Sequence, residues 1–575
     1  MKILLLLWAF LAQAGYVPAM LALTGASCVE ELSESELERW QSLSEHPLDL
    51  NLASRSRLLS CGLFTPYQVA SLMDVRSRSG DILSLTELGL TDGFTPEIAD
   101  ALSHFIVLRS DRAPGSRPQR RVSQSLTLKT AGRSSFSGSP GFNAGLKYEI
   151  GIGERAAAYW STRTAYDDSR LGLGTLSAVY YGRRHLGKLI LGNFNARFGQ
   201  GLAQWSGFDM SSLSSVAAFR KSGGGLSPTG SFSAELCGAA VDMNFARWNV
   251  SAAYSFSGNE LMANVTRVGR TSCLGLTATR SRASFDWRVG MPDISIFGEV
   301  ALAYPASSTA ERNVSGNASG MSPTLSWKGL AVRTGAIWIP RYGSKFALLA
   351  RFFDPRWNKD YSGIALGAEL PLLTGRSMMG MPLDALLTAT IDAGYSLARQ
   401  QAQLKGVLGL KLDTALGELA LHSKLRLQPV LRTMATVADK STALPSRLDL
   451  RADLKKQLGP IFLAGRINTL WCRGFAWLWY LESGLEREKF SAYARAGLFK
   501  VDNWDDRIYV YERDAPGSFN VPAIYGRGWN ASLYAAWKPS RTHSFWLRLE
   551  TISYPWNLSP KSPKLELRLQ YRLRL

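Results

Sequence analysis

The stretch Lys564-Leu-Glu-Leu-Arg-Leu-Gln-Tyr-Arg-Leu-Arg-Leu575 alternates without a break between apolar and polar side chains. Leu565, Leu567, Leu569, Tyr571, Leu573 and Leu575 take one set of positions, and Glu566, Arg568, Gln570, Arg572 and Arg574 take the other. Successive side chains of a strand point to opposite faces, so this segment presents one apolar face and one charged face. Such a strand lies between two unlike media, and the architecture of the chain has to supply both.

The same grammar recurs upstream. Leu419, Leu421, Leu425 and Leu427 alternate with Glu418, His422, Lys424 and Arg426, and Leu448, Leu450, Ala452 and Leu454 with Arg447, Asp449, Arg451 and Asp453. Segments of about ten residues, separated by Gly, Pro, Asn and Asp clusters, mark a transmembrane barrel with apolar residues to lipid and polar ones to the lumen. A soluble all-β array is the rival, with apolar faces turned to a partner sheet. Alternation sustained over about 450 residues favours the barrel. At roughly 20 residues per strand and connection, residues 122–575 hold about 20–26 strands, and a barrel that wide leaves a lumen large enough to need a plug. Beyond the N-terminus no uncharged apolar run approaches the ~20 residues of a spanning helix.

Lys2, the apolar run Ile3–Leu11 and Ala12-Gln13-Ala14 give residues 1–26 the form of a signal peptide, with cleavage near Ala14 or near Ala26. Cys28 follows Gly25-Ala26-Ser27, similar to a lipoprotein site without its usual leucine. Cys28, Cys61, Cys237, Cys273 and Cys472 have no metal-ligand spacing, and an odd count with long gaps indicates no disulfide framework, although Cys28 with Cys61 is one conceivable pair.

Residues 29–108 have a helical texture. The signals predict a helix over Ser33 to Leu43, one capped by Asn51 and running to about Cys61, one opened by Thr65-Pro66 and ending near Ser79-Gly80, one started by the Ser84…Glu87 box, and one from Thr95-Pro96 to Leu108. Phe64-Thr65-Pro66 recurs as Phe94-Thr95-Pro96, the mark of a duplicated helical hairpin. Asn51-Leu-Ala-Ser54, Leu63-Phe64-Thr65-Pro66, Gly80-Asp-Ile-Leu-Ser84 and Asp92-Gly93-Phe94-Thr95 resemble the tandem helix-hairpin-helix module of the ComEA competence DNA receptors, over about 46–108. The resemblance implies hairpin-turn contacts through Gly62, Leu63, Phe64, Thr65, Gly93, Phe94 and Thr95. Gly93 matches the first glycine of the second turn, while Thr95, Leu63 and Thr65 replace the others and Gly62 falls one position early. Residues 29–108 carry thirteen acids against five arginines, a net of −8, which opposes phosphate contact. The module therefore reads as a plug or protein-interaction element, with DNA binding as the alternative.

Residues 109–121 form a basic linker rich in Pro, Gly and Ser. Within 122–575, two segments break the alternation, residues 189–208 and 509–528. They supply candidate lumen or plug-contact residues: Asn193, Arg197, Gly199, Gln200, Gly201 and Trp205 in the first, Tyr511, Glu512, Asp514, Tyr525, Gly526 and Gly528 in the second. Both segments resemble those of a family of Bacteroidota outer-membrane proteins that join a periplasmic helix-hairpin-helix region to a large barrel. His46, His104, His185, His422 and His543 fall in no zinc spacing and beside no nucleophile motif, so no catalytic residue, metal ligand or cofactor is assigned and the chain is not expected to be an enzyme. The formal charge is +20 overall and +27 on residues 109–575.

The expected architecture is a small helical bundle followed by a large antiparallel transmembrane barrel in the outer membrane, with the helical region in the periplasm. The expected role is non-enzymatic, in transport or envelope assembly, with outer-membrane lipid and a protein bound by the helical region as partners. The alternatives are a DNA-uptake component and a structural barrel with a sealed lumen.

Overall fold

The structure is a computed structural model. Outside its description lie residues 1–15, 111–121, 305–328 and 428–445, and the shorter stretches 25, 27–28, 30–31, 33, 46, 136–137, 167–169, 183–184, 208–212, 222, 270, 292, 341–342, 356, 358–360, 379–380, 398–400, 415–416, 519 and 558–560. Cys28, His46, the 111–121 part of the linker and the cleavage candidate at Ala14 fall among these.

Period-two alternation becomes a closed antiparallel barrel of 24 strands among the described residues, each paired with its neighbour in the chain. The first strand, Val122–Ser135, closes onto the last, Lys564–Arg574. One short segment, Gly225–Pro228, pairs with the end of Leu186–Arg197 that extends past its neighbour Leu236–Phe245. Faces alternate as the sequence requires. In Thr175–Tyr181, Thr175, Ser177, Val179 and Tyr181 are buried inside, while Leu176 and Tyr180 stand outside at 59% and 48% exposure. In the closing strand, Leu565, Leu567 and Leu569 are exposed outward at 39%, 40% and 46%, and Gln570 is buried inside.

Leu276, Ile364, Leu481 and Leu533 continue the outward apolar surface around the barrel. Each Å² of such surface costs about 25 cal/mol in water, and a band of this extent exceeds what a soluble monomer exposes. Aromatic pairs edge the band at both ends. Trp338–Phe346 (5.3 Å between ring centroids) and Trp537–Phe545 (5.4 Å) flank one set of turns. Trp471–Phe475 (5.0 Å) and Tyr254–Phe256 (5.3 Å) flank the other. An apolar band between aromatic girdles, around a polar interior, is the outer-membrane barrel type.

The two ends differ. At one, the connections are short, such as 153–155, 246–247 and 459–460; at the other they include 198–235 and 502–525. N-terminal to the barrel, helices span Glu34–Glu45, Arg55–Ser60, Pro66–Arg78, Leu85–Gly89 and Pro96–Leu102, packed on Trp40, Leu58, Leu72, Leu88 and Phe105. Thr65 forms a complete capping box with Gln68, and Thr95 caps the last helix through the Ile98 N–H. Three expectations are corrected. Ser54, not Asn51, caps Arg55–Ser60, because Asn51 is used to bridge Ile82 and the Arg109 carbonyl. The helix from Pro96 stops at Leu102, because Ile106–Val107 forms a parallel ladder with Leu48–Asp49. Glu87 accepts from the Leu83 N–H at 2.7 Å instead of completing a box with Ser84. A further helix, Tyr16–Thr24, lies in the stretch expected to be signal peptide; its Met20 is fully buried in the same core.

Candidate functional site in the lumen

The helical region sits against the inner wall at the short-turn end. Arg57 Nε donates to Glu154 Oε2 at 3.1 Å, in the turn after Gly138–Ile152, and its Nη1 donates to Tyr181 Oη at 3.3 Å. Burial opposes the charge on Arg57, but Tyr181, Tyr159 and Glu154 outweigh it and hold its pKa well above the usual arginine value. Ser56 Oγ accepts from Asn244 Nδ2 (2.9 Å), Arg55 donates to the Ala246 carbonyl (2.9 Å), and Arg288 lies 5.7 Å over the Tyr67 ring. These are polar contacts between buried or partly buried groups, made by turn ends and helix ends.

Two connections from the opposite end fold inward toward this region. In the first, Gly199 and Gly201 adopt positive φ (55° and 85°), a conformation that favours glycine, and wrap the backbone around Glu299. The N–H groups of Gln200, Leu202 and Ala203 donate to its fully buried carboxylate at 2.6, 3.1 and 3.2 Å. Further along, the Val216 N–H donates to Glu369 (2.9 Å), and Val216 and Phe219 pack on Phe297, Leu349 and Ala365 of the wall. In the second, Glu512 pairs with Arg548, Asp514 with Arg568, and Arg513 with Glu482 at 2.8 Å. A buried charge needs a partner of opposite sign, and the wall provides one for each. Tyr511 packs on the helical core, and the Gly517 N–H donates to Gln41 Oε1 at 2.9 Å. The inward loop thus meets the helical region inside the barrel.

A cavity of about 1170 Å³ remains between helical region, wall and first inward loop. Gly62, Leu63, Phe64 and Thr65 of one hairpin turn and Gly93, Phe94 and Thr95 of the other all line it, together with Arg197 and Trp205. The remaining sequence candidates lie elsewhere. Asn193 Oδ1 accepts from the Leu176 N–H within the sheet (2.9 Å). Gly199, Gln200 and Gly201 form the Glu299 clamp, and Tyr511, Glu512 and Asp514 the second inward loop. Tyr525 packs against Trp504 (4.9 Å) and Lys561 at the long-loop end. Gly526 has φ +100°, and a Cβ on Gly528 would lie 1.9 Å from the Ser553 carbonyl oxygen, so that strand accepts no side chain there.

Both turn glycines are covered by their own chain. Gly62 (φ 76°) would place a Cβ 2.7 Å from the Arg39 guanidinium, and Gly93 (φ 85°) one 2.8 Å from the Tyr67 ring. The cavity also holds residues that the motifs did not flag: Arg57, Tyr67, Arg220 and Arg288. Arg288 was detectable in principle, since Ser284, Asp286 and Arg288 share the polar face of one strand; Arg220 carries no such signal. Burial and the neighbouring Arg288 push the Arg220 pKa down to about 9. Among the described residues no cluster of three or more His, Cys, Asp or Glu side chains could hold a metal.

No protein-family model and no curated protein matches the sequence. Among solved structures, the chain is similar to the translocation pore of the P pilus usher PapC at 8% identity, over 79% of this chain and 99% of that one, with a TM-score of 0.37. It is also similar to the outer membrane protein OpdK of Pseudomonas aeruginosa (9% identity, 79% and 99%, TM-score 0.28). A third is OccK2 of the same organism, in complex with glucuronate (8%, 79% and 96%, 0.28). Likeness at this level adds nothing to what the strand ladder itself establishes.

Proposed function

We propose that the chain is an outer-membrane transport channel whose lumen is closed by its own helix-hairpin-helix region, inserted from the periplasmic side, and which opens when that region is displaced. The observation that carries this reading is the seat of the helical region. It is held on the inner wall by Arg57–Glu154 and a few hydrogen bonds, and it meets an inward loop at Gln41–Gly517. Short turns face the periplasm in barrels of this type, which supports a periplasmic position for the helical region. An interface with one partly exposed ion pair, worth about 0–1 kcal/mol, and a few hydrogen bonds is weak, and so can be released without unfolding the barrel. DNA uptake is less well supported, because the turn glycines are shielded by Arg39 and Tyr67 and the region is acidic.

The test is conductance in planar bilayers. The full chain should stay closed at moderate voltage, and a variant lacking residues 29–108 should show steps typical of an open pore. A deletion variant that refolds as a barrel and conducts no more than the full chain would sink the proposal and favour a sealed, structural lumen.

A further inference from the structure

Several inward-facing arginines in this lumen share a rule. Arg466 pairs with Asp453 at 2.6 Å, Arg495 with Glu482 at 2.5 Å, and Arg548 and Arg568 with carboxylates of the second inward loop and of their own strands. Arg220 and Arg288 break it. Neither has a carboxylate within ion-pairing distance among the described residues. Arg220 donates to Ser295 Oγ at 3.2 Å, and Arg288 lies over the Tyr67 ring. Of the acids that line the same cavity, Glu149 is paired with Lys147 and Glu154 with Arg57, while Glu36, Asp92 and Asp293 lie beyond ion-pairing distance of either arginine.

The sheet register brings the two guanidiniums together. Ser295, the partner of Arg220, stands opposite Gly290, and Arg288 stands opposite Phe297 on the same pair of strands. Phe219, next to Arg220 in sequence, packs on Phe297. Arg220 is partly exposed and lines the cavity. Two like charges held side by side in a low-dielectric space repel and remain undersolvated unless an anion joins them. The indole N–H of Trp205, on the same cavity, is buried with no acceptor, and Lys221, the residue after Arg220, lies 5.2 Å over the Trp205 ring. The volume of about 1170 Å³ suits a small organic molecule, and Phe64, Phe94 and Tyr67 supply an apolar wall.

We propose that Arg220 and Arg288 form a binding site for a small oxyanion, the carboxylate or phosphate group of a molecule whose body rests on the aromatic wall of the cavity. A planar guanidinium suits either group, because its parallel N–H bonds match the spacing of two oxyanion oxygens. The site rests on the seating of the helical region and not on its displacement. A channel that never opens would therefore leave it intact, and a channel that opens without binding anions would refute only this site.

The test uses the full-length protein in detergent at constant ionic strength, titrated with inorganic phosphate, benzoate and, as a cationic control, choline. Tryptophan fluorescence and thermal unfolding are the readouts. At least one of the two anions should give a saturable response and raise the unfolding temperature, and choline neither. Phosphate alone would assign a phosphate group, and benzoate alone a carboxylate on an aromatic body. R220M and R288M should each weaken binding at least tenfold, while R473M, in an exposed turn, should not. Without ligand, R220M should unfold at the same temperature as the wild type or higher, because an unpaired buried charge has been removed. Absence of any saturable anion response overturns the proposal, as does equal affinity in R220M and R288M. A ligand-free R220M markedly less stable than the wild type also overturns it, since it would make Arg220 a structural partner.

Discussion

Arg57 Nε and Glu154 Oε2 lie 3.1 Å apart, and through this pair an N-terminal helix is tied to a barrel turn 97 residues away. Both side chains are about one-quarter exposed, so the pair is worth at most about 1 kcal/mol. Reversing one charge with Glu154→Lys should loosen the seat and raise bilayer conductance and protease access to residues 29–108. The double swap Arg57→Glu with Glu154→Arg should recover most of the wild-type closure. If the swap behaves like the single reversal, the ion pair does not hold the seat.

Glu299 accepts three backbone N–H groups of the first inward loop. Glu299→Ala leaves those donors buried and unpaired, at a cost of about 3 kcal/mol or more. Limited proteolysis should then cut within residues 198–207 faster than in the wild type. Gly199→Ala should act in the same direction, since its Cβ would meet the Glu299 carboxylate at 2.8 Å in a backbone conformation that L-residues avoid.

Asp49 is buried in the helical region, and its Oδ2 has no hydrogen-bond partner. Burial pushes its pKa up, against the N–H groups of Leu52 and Asn51 that pull it down. The unfolded chain therefore releases this proton at lower pH than the folded one. The contribution of Asp49 to stability is fully present below the unfolded value near 3.8 and declines as pH rises through the higher folded value. Asp49→Asn should remove that dependence, visible as amide protection at Leu50 to Ala53 that no longer falls as pH rises towards neutral.

Met20 is fully buried against the core that contains Phe105, and Tyr16 packs edge-on to the same ring at 6.3 Å. Cleavage near Ala26 would strip both from the helical region, whereas cleavage after Ala14 would keep them. The protein purified from membranes should therefore begin at Gly15. An N-terminus at Ser27, found by intact mass, would show that the region folds without this helix.

The barrel was legible because its signal is local: a two-residue period shows in strands such as Thr175–Tyr181 and Lys564–Arg574 whatever the partner. The inward loops were legible through glycines. Gly199 and Gly201 stood out as breaks in alternation, and both take positive φ. Pairing inside the lumen was not legible. Nothing near Arg548 in sequence says that Glu512 will reach it, or that Arg220 and Arg288 will find no acid, because those outcomes depend on how loops fold back across the pore. The helical caps show the same limit on a smaller scale. Asn51 and Ser54 are both competent caps, and only the tertiary bond from Asn51 to Ile82 assigns the role to Ser54.

The seam between Val122–Ser135 and Lys564–Arg574 sets the order of events during biogenesis. Arg572 reaches Thr127 across 445 positions, so the ring cannot shut until nearly the whole polypeptide has been delivered. Until then the sheet has two open edges, and Glu299, Arg548 and the seat for Arg57 line a trough instead of a tube. The helical region, made first, has a wide entrance in that interval and only the end of the tube afterwards. Delaying closure, for example by weakening the last strand, should therefore produce barrels that differ in whether they are stoppered, from one and the same sequence.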